Sequence, residues 1–334
     1  MKFFIIGSNS FSGANFINFL VKRNFDFIGV SRSQDIDNIF LPYKWEDKNK
    51  VKINNDKFNI YQIDLNKDLS KLMSLIDSYK PDFIINYAAQ GMVAESWKNP
   101  THWYTTNLLS QVAFHDELRK RTFLKKYIHI TTPEVYGNTT TWAKENFNFA
   151  PSTPYAISRA ACDLHLLSFF KAYNFPVIFT RAANVYGAGQ QLYRIIPRTI
   201  LSCLTGQKLK LHGGGYSERC FIHIDDVNAA LMRLINHAET GTSWHISTQD
   251  PLSIRNLVKR ICNTLNVEFE DIVLETCERL GKDKNYLLSS DSIRDKFDWE
   301  DKISLEEGIK DTVKWIEGNF PRMLNMSWEY QHKR

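Results

Sequence analysis

The chain has 334 residues, enough for one large domain or two modest ones with a real core. Apolar residues make up 43% and charged residues 24%, the balance of a soluble globular protein. The net charge of +5 is not gathered into a tail, so it reads as an ordinary basic surface suited to small anions, not as a nucleic-acid footprint.

The N-terminal KFFIIG reads as a strand, not a signal core, and the apolar runs are too short to span a bilayer. Cys162, Cys203, Cys220, Cys262 and Cys277 are odd in number and widely spaced, without paired metal-ligand spacing. No metal is expected, and a reduced, cytoplasmic protein is the simplest account.

In chain order, the strand KFFII leads through GSNSFSG into a helix, ANFINFLVKR. DFIGV is a second strand, and the polar stretch from about Asp35 to Asp56 reads as an excursion. KFNIYQIDL gives a third strand, KDLSKLMSLIDSYK a helix that stops before Pro81, and PDFIINYAA a fourth strand. Residues 101–120 read as one long amphipathic helix, followed by the strand KKYIHIT, a helix from Tyr155 to Tyr173 and the strand PVIFTR. Apolar strands alternating with helices predict an α/β fold, a Rossmann-like doubly wound parallel sheet covered on both faces. Beyond Asn184 the pattern is less regular, with helices near Asp226–His237, Ile254–Leu265 and Ser304–Gly318. We therefore expect residues 1–185 to bind a dinucleotide and carry the catalytic groups. Residues 186–334 form a smaller mixed α/β part that binds the substrate and packs continuously on the first.

Gly7-Ser8-Asn9-Ser10-Phe11-Ser12-Gly13 lies between a strand and a helix, the context a dinucleotide site needs. Gly7 permits the tight turn, and the loop amides with the helix N-terminus receive pyrophosphate. The middle glycine of the usual pattern is Ser10, which is tolerable if its backbone angles are ordinary. A plain βα turn is the alternative. The second strand ends in Gly-Val-Ser-Arg-Ser, with no acid to bind both ribose hydroxyls. Arg32 suits a 2′-phosphate instead, so NAD(P) is expected with NADP favoured over NAD; a solvent-facing arginine is the alternative. Asp64 is placed either to accept from the adenine amino group or to cap the next helix. Gly7, Ser10, Phe11, Gly13, Arg32, Asp64, Leu65 and Ala88 are the candidate cofactor residues, joined by Tyr155 and Arg159.

Three further pieces lie at strand C-terminal ends or on the helix after one: Ala88-Ala89-Gln90, the run TTPEVYG from Thr131 to Gly137, and the pair Tyr155 and Arg159. In an open α/β sheet that edge binds ligands. Together they resemble the extended short-chain dehydrogenase/reductase family, especially its nucleotide-sugar 4,6-dehydratases, over nearly the whole chain. The resemblance implies roles residue by residue. Tyr155 matches the tyrosine that removes the sugar hydroxyl proton, and Thr132 the group that hydrogen-bonds the same oxygen. Glu134 matches the base that takes the C5 proton. Arg159 stands where a lysine holds the nicotinamide ribose and lowers the tyrosine pKa. Asn184 and Arg219 match residues of the nucleotide-sugar pocket, the arginine at the diphosphate. Asp225 and Asp226 read better as helix caps.

The departures bear on chemistry. Pro133 stands where many dTDP-glucose 4,6-dehydratases have the aspartate that protonates the departing C6 hydroxyl. GDP-mannose 4,6-dehydratases also lack that aspartate, and they are similar at Gly29–Arg32 and at AAQGMVA. The run TRAANVYGAGQ is more like the other branch. The resemblance implies a nucleotide-diphosphate sugar as partner, and a homodimer through a four-helix interface made by residues 101–120 and 155–173. It implies neither nucleic acid nor membrane. C4 epimerisation, C5-carboxylate loss and a catalytically weak NAD(P)-binding protein are the alternatives. Arg159 is expected to slow the chemistry, so Arg159→Lys is expected to raise kcat.

Overall fold

The computed structural model describes residues 1–34, 36–45, 59–278, 281 and 284–332. Its strands are β1 (Lys2–Ile6), β2 (Asp26–Ser31), β3 (Ile60–Gln62), β4 (Phe83–Asn86), β5 (Lys126–Ile130), β6 (Val177–Ala182), β7 (Asn184–Tyr186), β8 (Leu209–His212), β9 (Glu218–His223), β10 (Ser243–Ile246), β11 (Pro251–Ser253) and β12 (Val273–Thr276). Seven of them form one sheet in the order β10-β6-β5-β4-β1-β2-β3, and every pairing is parallel. Ile5 of β1 faces Gly29 on one side and Ile85 on the other. Four of the five β1 side chains are buried, as a strand covered on both faces requires.

The sheet separates two apolar layers. Phe3, Ile5, Phe16 and Leu20 pack with Val227, Leu231 and Leu234 on one side. Phe4, Ile6, Leu72, Ile76, Phe114 and Leu166 pack on the other. The first layer mixes Phe11–Val21 with Ile224–His237, so the chain beyond residue 185 returns to the large sheet, both as that helix and as the edge strand β10. The rest of that half builds its own core around Tyr186, Ile196, Ile200, Leu257 and Ile316, with two small sheets, β11-β9-β7 and β12-β8.

Four expectations change, three of them in the bounds or form of an element. Residues 101–120 are not one regular helix: Pro100–Tyr104 runs into a π turn, Thr105–Leu109, before Ser110–Leu118. The extra residue in that turn lets the Asn107 side chain bridge the Gln90 backbone and Ser158 Oγ. The last helix runs from Leu305 to Met323, past Gly318 and through Pro321, and opens on a capping box made by Ser304 and Glu307. The excursion begins as two short turns, Asn38–Phe40 and Pro42–Lys44, that bury Ile39, Leu41 and Tyr43. Trp315 of the last helix donates to Ile39 O at 3.1 Å. Asp35 and residues 46–56 of the excursion lie outside the described residues.

Asp226 caps nothing on its own helix. Its carboxylate is buried and accepts the Lys302 and Ile303 amides at 3.0 and 3.1 Å, while His223 is the N-cap. Among the described residues no helix is long and apolar enough to cross a membrane, and no group of three or more His, Cys, Asp or Glu is placed to hold a metal ion.

Candidate active site

The chain visits β1, β2 and β3 outward in one direction and then returns to lay β4 on the other side of β1. This reversal opens a crevice at the strand C-termini, between the loop after β1 and the loop after β4. A cavity of about 1020 Å³ fills it and continues into the second half of the chain.

The glycine loop forms one wall. Gly7 has φ +86, and a Cβ there would lie 2.9 Å from Ala88 N, so only glycine lets the two loops close together. Ser10 has ordinary extended angles, φ −73 and ψ 156, which explains why no glycine is needed at that position. Its hydroxyl donates to Gly7 O at 2.7 Å and accepts from Gly13 N at 3.1 Å. The side chain is thus spent on the turn itself. Gly13 lies behind the loop, not on the cavity wall, because a Cβ there would strike Gly7 O and Ser10 Oγ. Phe11, Arg32, Asp64, Leu65 and Ala88 all line the cavity.

Asp64 Oδ1 accepts from Asn66 N at 2.9 Å, so it holds the turn that precedes the helix Leu69–Tyr79. Asn9 was not singled out from sequence. Its amide donates to Ser33 O and Gln34 O at 3.2 and 3.1 Å, fixing the segment that carries Arg32. Its buried Oδ1 has no protein partner among the described residues and lies in the cavity lining. The close approach at Gly7, this unmatched oxygen and the N-terminus of the helix Phe11–Val21 together fit a dinucleotide.

The second wall holds the chemistry. Thr132 caps the turn Pro133–Tyr136 and accepts from Glu134 N at 3.4 Å, which presents Glu134 at the end of β5. Thr153 caps the helix Pro154–Tyr173 through Ala156 N, which presents Tyr155 in its first turn. Burial pushes the Tyr155 phenol up to about 12 and the Glu134 charge adds to it, while Arg159 and a hydrogen bond with Thr132 pull it back. The four expected catalytic residues therefore all line the cavity.

Arg159 is no solvent-facing helix arginine: it is 2% exposed. Its Nη2 donates to Ile130 O and lies 3.4 Å from His129 Nε2. Behind it, buried Asp163 accepts from Arg181 at 2.6 Å and from Thr131 Oγ1 at 3.0 Å. Burial alone would raise the Asp163 carboxyl, but Arg181, His129 and Arg159 hold it below its ordinary value. Burial pulls the His129 imidazole down to about 4 against its contact with Asp163.

Asn184 and Arg219 line the same cavity. Arg219 donates to the Glu218 and Lys284 carbonyls at 2.6 and 2.7 Å and covers the ring of Tyr286, its guanidinium carbon 3.7 Å from the centroid. The Tyr286 hydroxyl meets Asn184 Oδ1 at 3.4 Å. No motif marks Tyr286, which sits in the plain run NYLLSS.

Residues 4–312 match the model of a family described as GDP-mannose 4,6 dehydratase. A dTDP-glucose 4,6-dehydratase of Haemophilus influenzae is 27% identical, with 94% of this chain and 97% of the relative covered. The dTDP-D-glucose 4,6-dehydratase of Mus musculus is 30% identical over 75% of this chain and 72% of its own. A solved dTDP-glucose 4,6-dehydratase from Streptomyces venezuelae with NAD bound has a TM-score of 0.86 at 22% identity, covering 96% of this chain and 98% of that one. A UDP-glucuronic acid 4-epimerase from Bacillus cereus, also with NAD, scores 0.84 at 21% identity, covering 95% and 99%. At these identities the two structures report a shared fold.

Proposed function

The chain belongs to the GDP-mannose 4,6 dehydratase family, and from that membership we infer that it is a nucleotide-sugar 4,6-dehydratase. It converts a nucleotide-linked hexose into the 4-keto-6-deoxy sugar with no net oxidation. The observation that supports the reading is that Thr132, Glu134 and Tyr155 line one cavity together with the glycine loop, Asn184 and Arg219.

A nicotinamide dinucleotide held at the Gly7–Gly13 loop would supply the redox chemistry, as acceptor of the C4 hydride and donor of it to C6. Tyr155 takes the proton of the 4-hydroxyl, with Thr132 holding the same oxygen. The positive charge of Arg159 favours the tyrosinate that this produces. The 4-keto group acidifies C5, and Glu134 removes that proton. Asn184 and Arg219 hold the sugar nucleotide, the arginine toward its diphosphate.

NADP is the preferred form in this reading, because Arg32 follows β2 on the cavity wall and no acid stands there. A homodimer through the helices of residues 100–118 and 154–173 fits their outward faces, which leave Leu109 63%, Ile157 41% and Leu164 46% exposed. A cytoplasmic setting fits five free cysteines.

The test is incubation with dTDP-, GDP-, UDP- and CDP-hexoses in deuterated water, read by mass and NMR. Loss of the elements of water with one solvent deuteron at C5 is expected, and Glu134→Gln is expected to stop water loss while C4 oxidation survives. An isomer of unchanged mass, formed equally by the Gln variant, would replace the dehydratase with an epimerase.

A further inference from the structure

Loss of the C6 hydroxyl needs a proton on the departing oxygen, and Pro133 has none to give. Tyr286 lines the same cavity as Glu134, near enough for the Glu134 charge to act on its phenol. Its segment is stitched to the loop that follows the Glu134 turn. Thr139 N donates to Asn285 O at 2.9 Å, Leu287 N to Thr139 Oγ1 at 2.8 Å, and Ala143 N to Leu287 O at 2.8 Å. On its other side Glu218 N donates to Lys284 O at 3.1 Å, which ties the segment to β9 and Arg219. These bonds fix the segment that carries Tyr286, whose ring lies under Arg219 and whose hydroxyl donates to Asn184 Oδ1 on the cavity lining.

We propose that Tyr286 is a catalytic residue, the acid that protonates the C6 hydroxyl of the hexose as it leaves. This deepens the dehydratase reading and rests on it. The step balances as follows. Glu134 takes the C5 proton, and the C5–H electron pair becomes the C5–C6 double bond. The C6–O bond breaks with its pair on oxygen, the Tyr286 O–H proton passes to that oxygen, and water departs. Glu134 is then a neutral acid and Tyr286 a phenolate under the Arg219 guanidinium. Glu134 exchanges its proton with solvent before it returns one to C5, and Tyr286 regains its own from solvent, which restores both groups.

The surroundings suit this role. Burial raises the phenol well above its ordinary value and the Glu134 charge adds to that, so the group is protonated at neutral pH. Arg219 acts in the opposite direction. Once Glu134 accepts the C5 proton, its charge and its upward push on Tyr286 vanish together. The phenol becomes a stronger acid in the same step that requires it.

The experiment uses whichever of the four hexoses the wild-type protein dehydrates, alongside its 6-deoxy-6-fluoro analogue. Fluoride leaves without a proton. Tyr286→Phe keeps the ring under Arg219 and deletes only the hydroxyl. Water loss is expected to slow by roughly 100-fold or more, with the 6-hydroxy-4-keto hexose accumulating, while fluoride loss stays within about threefold of wild type. Equal slowing on both substrates would make Tyr286 a platform for binding and overturn the proposal, as would unchanged water loss. If the wild-type protein dehydrates none of the four hexoses, the dehydratase reading falls first, seen without any variant, and the proposal falls with it.

Discussion

Arg159→Lys separates what the guanidinium does for the fold from what it does for the reaction. The arginine reaches past Tyr155 to Ile130 O at the end of β5, in a place that is 2% exposed. A lysine has the charge but lacks the fork, so it cannot hold that carbonyl and also meet His129. Loss of one charge-assisted hydrogen bond costs about 1.5–3 kcal/mol. At ~2.1 cal/mol/K per residue over 334 residues, that lowers the melting temperature by about 2–4 °C. The compact ammonium is at the same time released toward the tyrosine and the ribose, so kcat is expected to rise on the order of tenfold, one hydrogen bond in the transition state. Thermal melts of both proteins and turnover at saturating substrate read the two effects separately. A fall in kcat would show that the site is built around arginine. An unchanged melting temperature would show that the Ile130 contact contributes nothing. Either result refutes the reasoning.

Arg32→Ala is expected to weaken NADP binding by about 10- to 100-fold with little change for NAD, from the loss of one charged hydrogen bond to phosphate; equal losses by calorimetry would remove the 2′-phosphate contact. His129 and His245 are held down to about 4 and about 3 by burial. Their folded values lie below the unfolded one near 6.5, so their contribution is full above that pH and is lost as pH falls toward 4. At pH 5 the loss is roughly 2 kcal/mol for each, and a urea midpoint unchanged between pH 7.5 and 5 would contradict it. Leu109→Arg or Ile157→Arg is expected to give a monomer by sedimentation, and a wild-type protein already monomeric at micromolar concentration would reject the helical interface. Pro133→Asp, at the first position of a turn where an acid is favoured, is expected to restore water loss to Tyr286→Phe; no recovery in single-turnover product analysis would count against a missing proton donor.

The parallel sheet was legible because its strands are short apolar runs between helices of regular period, and six of the seven follow one another before residue 185. The seventh, β10, was not. Its residues Ser243–Ile246 include His245, and its burial depends on Phe179, Thr180, Arg181 and Ala182, some sixty residues earlier. The π turn at Thr105–Leu109 was hidden for a related reason: its amphipathic period is nearly that of an α-helix, and what favours it is the distant Gln90–Asn107 bridge. The site divides along the same line. Thr132, Glu134, Tyr155 and Arg159 stand in motifs whose spacing fixes them on neighbouring elements, so local sequence carries their geometry. Tyr286 does not. It reaches the cavity because its neighbours Asn285 and Leu287 are bonded to Thr139 and Ala143 in the loop after the Glu134 turn, and two of those three bonds join backbone atoms that every residue has, the third ending on Thr139 Oγ1. A side chain positioned by anonymous backbone pairing leaves no spacing rule behind. A reaction group supplied that way can change between close relatives while the motif that it serves stays intact.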